Sequence, residues 1–470
     1  MPEILVVQRP WPPLVAVRVF VGGGAALDPV GKEGQTLLGW LSALRGTKSK
    51  DRLQLQAAID AIAAQVDVAV DKSGAWLTAS VAAERLEPLV QLLAEVVSRP
   101  RFEPSEVNAQ RDELIADLRH MQDDDGALAD DALSRYLFRG QAVGRPSQGT
   151  ALSLTAIRSE DLTAWHARQI TASNLRIGFA GAIDLKRATD LVSAAFGSLS
   201  AKSGPKIVHE RAVVGGRRLL LVDKPKRTQT QIVLALSTVG AQNKDLPALI
   251  VANAVLGGPF SARLSRDVRQ LRGWAYHTEA MLTLGAVSST WIATLGTGTA
   301  DAVAALELTV KLWEELGRHG VTPAELRFVK DWLLGAHRLT LETAAAELGY
   351  QMRGRAMGLE LNEIVQLPTR IAAVDLKTVQ RVLKERCQLE HLVGVMVGPS
   401  KLLATKLAES LTQFAVEELP AGGAPELTTG SGRAVTSKPL PSAASPTTAE
   451  EPEEADPDEV DDGADLDSAP

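Results

Sequence analysis

Seven histidines and one cysteine are the side chains on which metal or nucleophilic chemistry is usually built, and their spacing supports neither. His120, His166, His209, His277, His319, His337 and His391 stand alone, no two within five residues, so no local pair can grip one ion from a single helical face. Cys387 is the only cysteine, which excludes an internal disulfide and any zinc site built from several thiolates; the reading it favours is a small buried hydrophobe. No Gly-x-Ser-x-Gly elbow occurs. Gly22-Gly-Gly24 is not followed directly by a helix, because Leu27-Asp-Pro intervenes, so it is a sharp strand exit rather than a phosphate cradle. An independent hydrolase is therefore not expected.

The densest chemistry lies in Leu256-Gly-Gly-Pro-Phe-Ser-Ala-Arg-Leu-Ser-Arg-Asp-Val-Arg-Gln-Leu-Arg-Gly-Trp-Ala-Tyr. This pattern predicts a turn, a helix over about 260–271, a stop at Gly273 and a strand from Ala275. Arg269 then closes the helix and Tyr276 opens the strand. A guanidinium and a phenol hydroxyl are both hydrogen-bond donors. Taken singly, each also has a structural reading: Arg complements the helix dipole, and Tyr anchors a strand start.

The elements that must position these groups follow from length and periodicity. At 470 residues with 4% aromatics, the chain suits two or more domains with small aliphatic cores. Residues 450–470 carry eleven Asp and Glu and no Lys or Arg; the rest of the chain has fifty basic against forty-six acidic residues, a balance of +4 against −7 for the whole. That weak charge, without a basic stripe interleaved with aromatics, gives no reason to expect nucleic acid. No run of 18 apolar residues is present, so no membrane span is expected. The start lacks a basic and apolar leader, which points to the cytoplasm by default, or to the periplasm if an export signal precedes these residues.

Segments recur at an offset of about 215–219. Leu5-Val-Val-Gln-Arg-Pro with Val15, Val17 and Val19 parallels Leu220-Leu-Val-Asp-Lys-Pro with Ile232, Leu234 and Leu236. Glu103-Pro-Ser-Glu-Val and Thr322-Pro-Ala-Glu-Leu each open a helix, and Leu175-Arg-Ile-Gly-Phe-Ala-Gly parallels Leu392-Val-Gly-Val-Met-Val-Gly as a closing strand. Hairpins are expected at 66–71 with 74–81 and at 275–284 with 287–296. The fold class is α+β: a duplicated, bilobed chain, each half a mainly antiparallel sheet with helices on one face. The halves are 1–205 and 206–420, and 421–470 is too poor in large apolar groups to repay ordering and is expected to be a disordered acidic tail.

Across residues 1–420 these segments resemble the insulinase/pitrilysin family of inverted-motif zinc peptidases. Gly34 to Thr47 has the length and the closing Gly-Thr of that family's metal helix, which carries His-x-x-Glu-His; here the three positions are Leu37, Trp40 and Leu41. Aligning Gln110-Arg-Asp-Glu-Leu-Ile-Ala-Asp-Leu with the third-ligand helix puts Asp117 where Glu is usual. Leu and Trp can neither hold zinc nor take a proton from its water, and one carboxylate is not a site, so the apolar face packs instead. The resemblance further implies that Arg269 and Tyr276, at the family's seven-residue spacing, reach a substrate at a metal, while Phe260 and Arg263 pack the helix against its sheet. Gly257-Gly258-Pro259 runs straight into that helix, without the long glycine-rich insertion of the family's non-zinc mitochondrial processing subunit.

What the resemblance implies as a whole is the non-zinc subunit of a two-chain bacterial peptidase. It would hold no cofactor itself, form a heterodimer with a homologous subunit carrying the zinc, and enclose an unfolded peptide substrate bound partly by edge-strand addition. The other function it implies is a catalytically inactive structural or assembly protein, like the family's respiratory-complex core subunits.

Overall fold

In the computed structural model, residues 1–206, 209–212 and 215–419 are described, so the predicted tail at 421–470 lies outside the described residues. Val15, Val17, Val19 and Val21 alternate along one strand and are all 2% exposed or less, which fixes its register because a one-residue slip would turn every valine to the other face. That strand, β2 (Leu14–Gly22), lies inside a five-stranded sheet with β1 (Glu3–Gln8), β3 (Gln65–Val70), β4 (Gly74–Ala82) and β5 (Leu175–Gly181), in the order β1-β5-β2-β4-β3. Only β1 and β5 run parallel.

The second sheet repeats the plan. β6 (Arg218–Asp223), β7 (Gln229–Val239), β8 (Ala275–Thr283), β9 (Ser288–Gly298) and β10 (Val393–Gly398) take the order β6-β10-β7-β9-β8, and β11 (Ala415–Leu419) is added beside β6. Both predicted hairpins and both closing strands are present, and the identical strand order makes the duplication a property of topology as well as of sequence. The chain is thus a duplicated, bilobed α+β protein.

Six of the helices carry or cover the candidate groups: α1 (Gln35–Ala43), α2 (Pro104–Met121), α3 (Asp125–Leu137), α4 (Ser159–Gln169), α5 (Pro323–Thr340) and α6 (Ala344–Ala356). The two proline-opened helices expected from the sequence are α2 and α5. Proline suits the first turn because its missing N–H has no intrahelical partner to lose. Each sheet buries its odd or even set against its own helices, as in the layer of Val15, Val17, Leu77 and Val81 under Leu89, Leu93 and Val97. A fully buried Val or Leu contributes roughly 1.5–3 kcal/mol.

The sequence placed helices on one face of each sheet; the structure adds a helix from the other half on the opposite face. Ala129, Leu133, Tyr136 and Leu137 of α3 pack on Leu220, Val222, Val233 and Val395 of the second sheet. Reciprocally, Leu348 and Met352 of α6 pack on Leu5, Val7, Phe20 and Ala180 of the first. The exchange needs close approach at Gly178, where a Cβ would stand 2.4 Å from Met352 Sδ. Two helices of corresponding position thereby tie the halves together, each over the other's sheet.

Candidate functional site

The first group of predicted positions lies on α1. Gly34 takes the left-handed φ of 89° that begins the helix, and Asp28 caps it, accepting from Gly34 N (2.9 Å), Thr36 N (3.0 Å) and Thr36 Oγ1 (2.6 Å). Asp28 is 2% exposed. Burial pushes its carboxyl up to about 7, although the Thr36 and Gly34 hydrogen bonds and the Arg145 guanidinium act the other way. At the far end Arg45 reaches across to α2, donating to Gln110 Oε1 (2.7 Å), Glu106 Oε2 (3.2 Å) and Glu113 Oε2 (2.5 Å).

Between these anchors the face at Leu37, Trp40 and Leu41 is apolar packing. Trp40 is 1% exposed and meets Trp165 of α4 edge-on, ring centres 5.8 Å apart and planes at 89°. Leu37 and Leu41 are half-buried against the same core. Trp165 also fills the space that a Cβ at Gly39 would need, 2.5 Å away. Asp117 is exposed on α2, four residues beyond Glu113 on the stripe that grips Arg45. The donor set at these four positions is therefore one carboxylate among hydrocarbon and indole, which does not fit a zinc ion. Among the described residues no group of three or more His, Cys, Asp or Glu gathers as a metal site.

The second group lies in the other half, where local structure departs from the expected helix over 260–271. Helical backbone begins only at Arg263, and Ser265–Gln270 is a π-helical turn in which Leu271 N–H donates to Arg266 C=O at 2.9 Å. Such a turn inserts one residue and recurs at functional sites. Gly273, at φ 68°, ends it, and β8 begins at Ala275 as expected. Arg263 is structural: its guanidinium holds Glu325 through two bonds of 2.8 and 2.9 Å and caps the Gly320 carbonyl at 2.9 Å. Phe260 does not pack the helix against the sheet. It is 64% exposed, with the exposed Arg269 guanidinium 5.1 Å above its ring, because the Gly-Gly-Pro exit leaves it outside the helix.

Tyr276 is the extra residue of a β-bulge, since Ala275 pairs with Thr297 while His277 pairs with Gly296. The bulge turns its ring across β9 at Gly296 to β7, where Gln231 Nε2 donates to the phenol oxygen at 2.5 Å. A Cβ at Gly296 would stand 2.3 Å from Tyr276 Cζ, so glycine is what lets the ring lie there. Gln231 alternates onto the same sheet face as Val233 and Ala235, the face that α3 covers. Sequence reasoning missed Gln231 and Gly296; the available signal was a glycine inside a strand, which marks a close approach. Arg269 makes no ion pair among the described residues, and the Tyr276 proton is not committed to Gln231. Both groups retain donors for a ligand.

Comparison with known proteins places these features in a family. Residues 3–151 match the family described as insulinase (peptidase family M16), and residues 156–333 match the peptidase M16 inactive domain. An uncharacterized zinc protease of Mycobacterium tuberculosis is 30% identical over 346 residues, covering 71% of this chain and 76% of its own length. The non-peptidase homolog YmxG of Helicobacter pylori is 22% identical over 83% of this chain and 90% of its own. In fold, a peptidase M16 inactive domain from Pseudomonas fluorescens superposes with a TM-score of 0.79 at 22% identity, over 85% of this chain and 95% of that one.

Proposed function

We propose, for a chain that belongs to the insulinase family of M16 peptidases, that it is the zinc-free member of a two-chain metallopeptidase. The observation that carries this reading is the contrast between the two halves: hydrocarbon and indole fill the metal face at Leu37, Trp40 and Leu41, while Arg269 and Tyr276 stand exposed with donors unspent. No hydrolytic step is assigned to this chain's own residues. Its part is to present Arg269 and Tyr276 to a peptide held at the zinc of a homologous partner subunit. The guanidinium binds the peptide carbonyl, and the phenol O–H, oriented because its oxygen already accepts from Gln231, donates to the oxyanion that forms when water attacks.

A donor of this kind is worth about 3 kcal/mol at the transition state, or 10²–10³ in rate. The test is Arg269→Ala and Tyr276→Phe in the assembly of this chain with a relative that carries His-x-x-Glu-His. The expected result is intact pairing and a drop in kcat of that size. Unchanged hydrolysis by both variants overturns the assignment and favours the other function, a fold retained for assembly alone.

A further inference from the structure

The joint between α6 and the first sheet is rich in arginine, and most of it is paired. Arg9 meets Glu347 at 2.8 Å, Arg176 meets Glu3 at 2.8 Å, and Arg355 meets both Glu3 (2.8 Å) and Glu360 (2.9 Å). Two arginines at the same joint are not. Arg18, from the middle of β2, and Arg353, two residues before Arg355 on α6, make no ion pair or side-chain hydrogen bond among the described residues. Both are half-buried. Burial disfavours the charge on each, and Arg18 disfavours that on Arg353 further. Two like charges facing each other without a counter-ion, in a fold that supplies one to each of their neighbours, leave a place for an anion.

The place exists. Arg18 and Arg353 line a cleft of about 150 Å³ with Asp67, Val68, Ala69, Trp76 and Thr78, roughly five water volumes. Gly349 makes room for one wall, since a Cβ there would stand 2.7 Å from Arg18 Nη1. The Trp76 indole N–H is already spent on Asp71 at 2.9 Å, whereas the Thr78 hydroxyl makes no hydrogen bond among the described residues. Arg18, Thr78 and Asp67 are cross-strand neighbours on β2, β4 and β3, and β3 is one of the two edge strands of its sheet. Asp67 is exposed and forms no ion pair with either guanidinium. It stands at the edge as an acceptor for N–H groups, with the two cations further in.

We infer that the Arg18–Arg353 cleft binds a carboxylate of an extended peptide lying along β3, either its C-terminal carboxylate or an acidic side chain. This rests on the peptide-binding reading above and names a preference within it. Guanidiniums bind carboxylates bidentately, and charge-assisted bonds in a half-buried cleft are stronger than neutral ones.

The test is calorimetric titration of the full chain with a set of unfolded decapeptides identical except at two points: free acid or amide at the C-terminus, and Glu or Gln at one internal position. An acid at one of the two points should tighten binding tenfold or more. Arg18→Gln and Arg353→Gln should each remove that preference while binding the neutral peptide as before, and Arg353→Lys should restore part of it. Which acid matters identifies the source of the carboxylate. Equal binding of acidic and neutral peptides, or a preference that survives both substitutions, overturns the inference and leaves the peptide reading standing. If no peptide binds to the chain alone, the role given to Arg269 and Tyr276 in the two-chain assembly is untouched, because there the partner holds the peptide. Glutarate then decides the cleft: binding to the unmodified chain and not to Arg353→Gln supports it, and no binding overturns it.

Discussion

Replacing Gly296 by alanine tests the placement of Tyr276 without touching Tyr276. The new methyl would lie 2.3 Å from Tyr276 Cζ and 2.4 Å from its hydroxyl oxygen, whereas carbon atoms rest about 3.5–4 Å apart. The ring must therefore lift by about 1 Å or swing away, and the 2.5 Å bond from Gln231 is lost. The strand itself is not harmed, because alanine is favoured over glycine within a strand by roughly 0.5–1 kcal/mol. A displacement of about 1 Å in a group that acts on the reacting atoms costs up to about 10²-fold, close to the loss of an oxyanion donor altogether. In steady-state hydrolysis by the two-chain assembly, Gly296→Ala should lower kcat about 100-fold with KM little changed, and thermal unfolding should stay at or above that of the unmodified chain. Tyr276→Phe should give a similar loss, and the double variant should be no worse than either single one. Wild-type turnover by Gly296→Ala, or losses that multiply in the double variant, would refute the role given to the phenol.

Three further outcomes are expected from the packing and the buried groups. Leu348, fully buried between α6 and the first sheet, should cost about 3 kcal/mol on Leu348→Ala, read as a lower urea midpoint. Asp28 has a folded-state pKa raised to about 7 from 3.8, so between about pH 4 and 7 the folded chain holds a proton that the unfolded chain has released. Stability from this group therefore falls as pH rises through that window, by roughly 1–4 kcal/mol, and unfolding midpoints at pH 5 and pH 8 should differ less in Asp28→Asn. Burial, with the Glu390 charge, pushes the Cys387 thiol up to about 12, so alkylation of the native chain at pH 8 should run roughly 10²–10³-fold slower than that of a free thiol and reach the free rate in denaturant.

The parts of this fold that the sequence made legible are those held by local pattern. Alternating valines located β2, proline after an acid or threonine located the starts of α2 and α5, and the hairpins announced themselves through turns between β-branched runs. Leu37, Trp40 and Leu41 were readable as packing because their spacing also defines an apolar stripe, and Trp40 is indeed buried against Trp165. What stayed illegible depends on partners distant in sequence. The apolar stripe of α3 can be seen in Ala129, Leu133 and Tyr136, but nothing local says that it covers a sheet some hundred residues later. The π-helical turn at Ser265–Gln270 and the bulge at Tyr276 each shift the chain by one residue, a change that helical or strand periodicity does not encode. Nothing local marks Arg18 as a half-buried cation either, because the α6 residue it meets, Gly349, lies more than three hundred residues away.

Whether this chain completes another subunit's active site, as proposed, or holds one of its own is decided by zinc content and peptide hydrolysis for the purified chain alone, and then for the chain mixed with a relative that bears His-x-x-Glu-His. The proposed role requires no stoichiometric zinc and no hydrolysis from the chain alone, with activity appearing in the mixture and falling about 10²–10³-fold on Tyr276→Phe. Stoichiometric zinc and hydrolysis from the isolated chain would contradict it.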